Sequence, residues 1–217
     1  MKLIYEHIQV DEEKPFKISI FNKVKFNYPF HYHPNEYEIT LTLGCEGYRI
    51  IGDRMEDFGK RDLALIGPGL PHCWNTYDPK VIHSPKAVVY VIQFNLHVLG
   101  SLLDKPHFRA IRQLLEQSYR GIVFSGKTLD QAQQIILKMK ERQGFDEYLD
   151  LMELLNLLAG SKEQGMQCSI GYSYRGSAGE NNTFGRVCKY IFDHYTGPIK
   201  IKDAATLAHL SESAFSH

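Results

Sequence analysis

Over the first hundred residues apolar and polar positions alternate in short bursts, and beyond residue 97 the apolar spacing lengthens to the helical period. The segments "KISIFN", "EITLTLG", "GYRIIGD", "DLALIG" and "AVVYVIQFN" are rich in Ile, Val, Tyr, Phe and Thr and are parted by turn residues. A strand points successive side chains to opposite faces, so this texture predicts many short strands arranged as a sandwich or barrel. Three helices are predicted after them. Phe108, Ile111, Leu115 and Tyr119 make one apolar stripe, and Leu129, Ala132, Ile136 and Met139 make a second. In "FDEYLDLMELLNLLAG", Tyr148, Leu151, Leu155 and Leu158 form a stripe that Leu149, Met152, Leu154 and Leu157 widen. A helix that wide is either an ordinary buried helix or one that packs on its own domain and also on a second copy of the chain, and in the second case the first four residues are the predicted homodimer contact.

Residues 160–182, "GSKEQGMQCSIGYSYRGSAGENN", are dense in glycine and serine and read as a linker. Beyond them "TFGRVCKYIFDHYTGP" has the spacing of a helix, with Val187, Tyr190, Ile191 and His194 on one face and Gly197-Pro198 as its stop signal. A second short helix is predicted from Lys202 to His209, and Ser211 is placed to cap a third.

Composition removes several function classes. Lys plus Arg and Asp plus Glu number 25 each, so no global field points to nucleic acid or a membrane surface. No apolar run approaches the ~20 residues of a membrane span, and "MKLIYEHIQVDEEK" lacks the apolar core of a signal peptide. A cytoplasmic location is the expectation. Cys45, Cys73, Cys168 and Cys188 are scattered without C-x-x-C spacing, which predicts reduced, buried thiols.

The candidate chemistry lies in "FHYHPNEYEITLTLG". His31 and His33 share a face if extended, and Glu36, Glu38, Thr40 and Thr42 share a face of the next strand, with Pro34-Asn35 as a turn between. Two imidazoles and a carboxylate in one cavity suit a divalent transition metal with open positions; parity leaves Glu36 and Glu38 both open. In "GKRDLALIGPGLPHCWN", His72 and Trp74 share a face after the Gly67-Pro68-Gly69 turn, and Cys73 takes the other. The same donors suit an organic pocket, with Trp74, the only tryptophan, as a stacking wall and Tyr48, Arg49 and Tyr90 as further wall or polar groups.

"HYHPNEYEITLTLG" resembles the first cupin motif, and "GKRDLALIGPGLPHCWN" is similar to the second. Gly44 comes one residue early, Gly67 stands in place of a proline, and Asn75 lies one residue closer to the histidine than the pattern has it. The resemblance implies a cupin fold (a double-stranded β-helix or jelly-roll barrel) and assigns the metal-position ligands to His31, His33, Glu38 and His72. Both segments, together with the chain beyond them, resemble the sensor domain of AraC-family transcription regulators in particular. This implies an effector-binding barrel over residues 1–100, dimerisation helices over 101–160, a linker over 161–182 and the first part of a helix-turn-helix DNA-binding domain over 183–217.

In that branch the barrel binds a sugar or other small effector and an N-terminal arm, here "MKLIYEHIQVDEEKPF", can close over it. The expected effector ligands are His31, His33, Glu38, His72, Trp74, Tyr48, Arg49 and Tyr90, with an organic effector ranked above a divalent transition metal. Ile199, Ile201, Ala205 and Leu210 match the apolar positions of a helix-turn-helix, and Ser211, Ser213 and His217 fall on the start of its DNA-reading helix. From Thr183 onward four basic residues face three acidic ones, far below a DNA-binding footprint. Operator binding is therefore expected only of a longer chain. The resemblance implies a regulator and no enzyme; the alternative is a metal-dependent cupin dioxygenase or isomerase.

Overall fold

The computed structural model describes residues 4–6, 16–22, 29–76, 87–170, 172, 187, 190 and 198–216. Its strands are β1 (Ile4–Tyr5), β2 (Phe16–Asn22), β3 (His31–Tyr32), β4 (Tyr37–Leu43), β5 (Gly47–Ile51), β6 (Arg54–Phe58), β7 (Arg61–Ile66), β8 (His72–Thr76), β9 (Val88–Phe94), β10 (Ile122–Phe124) and β11 (Gln164–Met166). They form a five-stranded sheet in the order β1-β3-β8-β5-β6 and a six-stranded sheet in the order β11-β10-β7-β4-β9-β2. All pairings are antiparallel except that of β1 with β3. The expected barrel is corrected in one respect: among the described residues no closed ring of strands forms, because β1, β6, β11 and β2 are left as sheet edges.

Alternation decides which residues meet. On β4, Ile39 and Leu41 lie on the face that packs against helices, together with their cross-strand partners Leu63 and Leu65 of β7 and Tyr90 and Ile92 of β9. The helices are α1 (Arg109–Gln117), α2 (Gly126–Met139) and α3 (Phe145–Ala159). Ile111 and Leu115, then Ala132 and Ile136, then Leu151, Leu155 and Leu158 enter the same core. A large aliphatic side chain taken out of water there stabilises by about 1.5–3 kcal/mol. The opposite face of the six-stranded sheet, with Ala64, Ile66 and Val89, turns toward the second sheet and meets Ile51, Leu70 and Trp74.

The start of α2 is held from a distance. Ser125 is its N-cap but makes no side-chain bond; instead Glu163 Oε2 accepts from the Thr128 N–H at 2.8 Å. The Ser125 N–H donates to the Glu163 carbonyl, and β11 pairs with β10. The stretch read as a linker is thus ordered strand at Gln164–Met166, and Cys168 just beyond is buried.

Two further expectations change. Leu151, Leu155 and Leu158 are each 0% exposed within the single chain, so they cannot be the surface that meets a second copy. They are covered by the chain's own sheet and helices, and Tyr148 is tied down by donating its hydroxyl to the Val98 carbonyl at 3.0 Å. The apolar residues α3 leaves outward are Phe145 and Leu149. At the C-terminus the helices are Ile201–Leu207 and Glu212–Phe215, and Ser211 caps the latter by accepting from the Ala214 N–H at 3.2 Å. Ala204 and Ala205 are buried, Ile199, Ile201, Leu210, Ser211 and Ser213 are exposed, and His217 lies outside the described residues. So do Ile191 and His194 of the preceding predicted helix. Cys45, Cys73 and Cys168 are buried free thiols. Among the described residues no helix is long and apolar enough to cross a membrane.

Candidate functional site

β3 is two residues long, and its placement depends on neighbours at both edges. His31 is the register partner of His72 on β8, and His72 is in turn the partner of Ile51 on β5. The turn before β8 fixes His33. Gly69, at φ 75°, donates its N–H to the His33 carbonyl, a conformation glycine adopts without the Cβ clash of other residues. Gly67 sits against the backbone after α1: a Cβ there would lie 2.7 Å from the Tyr119 nitrogen, so the close approach needs glycine. Strand register and this turn place the three imidazoles side by side, with ring centroids 4.3 to 5.2 Å apart.

Glu38 completes the group from the facing sheet. It is 4% exposed, and its Oε2 lies 2.9 Å from His33 Nε2. Gln93, its cross-strand partner on β9, donates to the same oxygen at 2.9 Å, and Thr40 donates to Oε1 at 2.6 Å. His72 Nε2 stands 3.5 Å from Oε1 and makes no hydrogen bond among the described residues. The donor atoms of His31, His33, Glu38 and His72 all lie within 4.8 Å of one another and all four residues are buried. Glu36, which parity alone left open, instead accepts from the Asn35 N–H.

The tautomers follow from second partners. His31 Nδ1 is 2.9 Å from the Pro29 carbonyl and His72 Nδ1 is 2.8 Å from the Leu70 carbonyl. Each carbonyl requires an N–H, so a neutral ring keeps its Nε2 lone pair turned into the cluster. Burial, then the neighbouring His72, pushes His31 down to about 3, so its ring is neutral at neutral pH. Burial opposes the charged form of His33 too, but its hydrogen bond to Glu38 and the charges of Glu38, Glu6 and Glu36 outweigh it and raise His33 above 6.5. Burial likewise penalises the Glu38 carboxylate, yet His72 and His33 hold it well below its ordinary 4.5.

A cavity of about 110 Å³ opens beside this cluster. His31, Glu38 and Trp74 line it, as the sequence pattern predicts; His33 and His72 stand behind Glu38 and reach the cavity only through it. Three predicted contacts are corrected. Tyr90 faces the helical core, because parity along β9 sends Val89, Val91 and Gln93 inward. Arg49 is consumed by ion pairs with Asp62 and Glu56, each at 3.0 Å. Tyr48 lies outside the cavity, since Arg49 and Ile51 are the inward residues of β5.

The cavity also has walls the motifs do not show. Lys17, Ser19 and Phe21 of β2 line it at alternate positions, opposite Gln93, Val91 and Val89. That alternation is the signal "KISIF" carries. Trp74 is set by its own support: its indole N–H donates to Asp62 Oδ2 at 3.0 Å while Arg49 holds Asp62 Oδ1. Glu6 reaches the site from the N-terminal strand, with Oε2 3.4 Å from His31 Nε2.

No family model matches the chain, and no curated protein does. Solved structures are similar to it. CuxR, an AraC-like transcriptional activator, aligns at 13% identity and a TM-score of 0.44, over 83% of this chain and 59% of that protein. This chain therefore spans little more than half the length of that activator. ToxT from Vibrio cholerae aligns at 13% identity and 0.44, over 94% of this chain and 92% of its own. ToxT from Vibrio cholerae O395 bound to (E)-4-(8-methylnaphthalen-1-yl)but-3-enoic acid aligns at 14% identity and 0.47, over 94% and 93%. At these scores none of the three decides what this chain does.

Proposed function

We propose that this chain is the sensing part of a ligand-responsive transcription regulator of the AraC kind, with two sheets that act as the halves of a cupin-type jelly roll. One observation carries the reading: a buried His31, His33, His72 and Glu38 cluster opens into a small cavity walled by Trp74, Val89 and Val91. Apolar walls with a few convergent polar groups are what a small-molecule site requires. A sugar or polyol fits the set, because Trp74 offers an aromatic wall while Glu38, Thr40 and Gln93 offer donors and acceptors. The C-terminal helix pair with the Ser211 cap supports the regulator half of the reading, and operator DNA is the partner of that half. A second copy would pack against the outer flank of α3, at Phe145 and Leu149. The reading involves no catalysis. A thermal-shift screen of sugars, polyols and small carboxylic acids tests it: a compound that raises the melting temperature of the wild type and not of Glu38→Ala is expected, and hits indifferent to Glu38 would refute the site.

A divalent transition metal on the same four residues is favoured by a separate observation. His72 Nε2 stands 3.5 Å from Oε1 of Glu38 and makes no hydrogen bond among the described residues. Two donors that share one ion at ~2.1 Å each are ~3.4 Å apart at a tetrahedral angle, so the spacing suits a shared cation. Three imidazoles and a carboxylate are borderline donors that suit a first-row divalent ion, and the Pro29 and Leu70 carbonyls orient the rings as outer partners do at metal sites. When bound, such an ion supplies a Lewis acid for an oxygen of the effector. In the enzyme alternative, a dioxygenase or isomerase, the same donors serve turnover.

A further inference from the structure

Glu38 decides which way its neighbours on the cavity wall face. Gln93 gives an amide proton to Glu38 Oε2 at 2.9 Å, and Thr40 gives its hydroxyl proton to Oε1 at 2.6 Å. An ionised carboxylate only accepts, so the Gln93 amide must turn its nitrogen to Glu38, and Thr40, with its one proton committed, has only lone pairs left. Both residues line the cavity, Gln93 at 6% exposure and Thr40 at 2%. Among the described residues Gln93 Oε1 takes no hydrogen bond. A buried amide oxygen left without a partner is costly, so this part of the wall calls for an O–H or N–H from a ligand.

One strand away the chemistry is opposite. Lys17 on β2 is the direct cross-strand partner of Gln93 and lines the same cavity. The lining carboxylates Glu38 and Glu6 lie against imidazoles, whereas Lys17 makes no hydrogen bond or ion pair among the described residues. Directly opposed residues have Cβ atoms about 5 Å apart, so one small molecule can meet both side chains. Trp74, Val89 and Val91 supply apolar wall around them. The volume, about 110 Å³, limits the size: an apolar cavity of about 150 Å³ admits benzene, so this one holds about four to six non-hydrogen atoms.

We propose that the cavity takes a short hydroxy carboxylate, which donates its hydroxyl proton to Gln93 Oε1 or Thr40 Oγ1 and pairs its carboxylate with Lys17 Nζ, an assignment that rests on the sensing role proposed for the cavity. Such a compound is polyol-like at one end and anionic at the other, with an aliphatic body for the apolar wall. Glu38 then acts on it through Gln93 and Thr40, by holding both as acceptors.

Calorimetric titration tests this with matched probes. Lactate is compared with propionate, which lacks the hydroxyl, and with propane-1,2-diol, which lacks the charge; 3-hydroxybutyrate, butyrate and butane-1,3-diol repeat the comparison one carbon longer. Lys17→Met and Gln93→Leu are titrated alongside wild type, with Thr40→Val as a second variant of the acceptor wall. At least one hydroxy acid is expected to bind about tenfold or more tightly than both of its analogues. Lys17→Met should abolish the margin over the diol alone, and Gln93→Leu or Thr40→Val the margin over the deoxy acid alone. Substitutions that weaken all three compounds equally would show a structural role and overturn the assignment. If the diols bind as tightly as the hydroxy acids and Glu38→Ala abolishes that binding, the cavity senses neutral polyols and the assignment is wrong. It is equally wrong if neither hydroxy acid binds; the sensing site itself falls only if no compound of the thermal-shift screen depends on Glu38.

Discussion

Trp74 shows how a pocket wall is fixed one residue at a time. Its indole N–H reaches Asp62, Asp62 is held by Arg49, and Arg49 is the direct cross-strand partner of Trp74. The ring is therefore locked at its polar end while its face lines the cavity. Replacing it by phenylalanine keeps most of the apolar volume but strips Asp62 Oδ2 of its donor in a site 5% exposed. Urea unfolding of Trp74→Phe is expected to show a loss of about 1–3 kcal/mol, and Trp74→Ala, which adds a cavity, a loss of about 3–5 kcal/mol. At this scale the sequence was informative where spacing was short. His31 with His33 and His72 with Trp74 read correctly from alternation, and the choice of Glu38 over Glu36 came from motif spacing. Tyr90 was misread although Val89, Val91 and Gln93 carry the opposite parity. Glu6 and Asp62 were illegible, because each meets the site through a register that no local pattern announces.

Among the elements, those with a full period were legible and the shortest were not. β2, β4, β5, β7, β8 and β9 correspond to alternating segments, whereas β1, β10 and β11 have two or three residues and β6, "RMEDF", is too charged to show an apolar face. The width of α3 was legible, but width does not say what covers it. Its leucines proved to be core, so Leu155→Ala is expected to cost about 2–5 kcal/mol in chemical denaturation. Leu149→Glu on the outer flank should leave that stability nearly unchanged and shift sedimentation from dimer to monomer; a dimer that survives it places the contact elsewhere. The α2 start depends on Glu163, whose carboxylate is lowered by the backbone N–H groups of Thr128 and Lys127. A lowered carboxylate stabilises above its ordinary 4.5 and loses that effect as pH falls through its folded value. The melting temperature of Glu163→Gln is therefore expected below wild type at neutral pH, and the difference should close in acid.

For the molecule as a whole, the six-stranded sheet is a shared wall. One face carries Glu38, Val91 and Gln93 to the cavity, and the other carries Ile39, Tyr90 and Ile92 to the helices. In the proposed sensor, a ligand that shifted β4 or β9 would reach α1–α3 through this one wall, and it would need to bind one arrangement better than another. The sheet pairing behind this wall was invisible in sequence, since strands distant in the chain are joined by registers of the whole fold. The claim that the cavity beside Glu38 is the sensing site is tested most directly by the emission of Trp74, the chain's single tryptophan. It is to be titrated with each compound that raises the melting temperature. The account predicts a saturable change in emission that Glu38→Gln weakens at least about tenfold, the loss of a charge-assisted contact. Compounds that stabilise wild type and Glu38→Gln alike, with the emission of Trp74 unmoved, would contradict it.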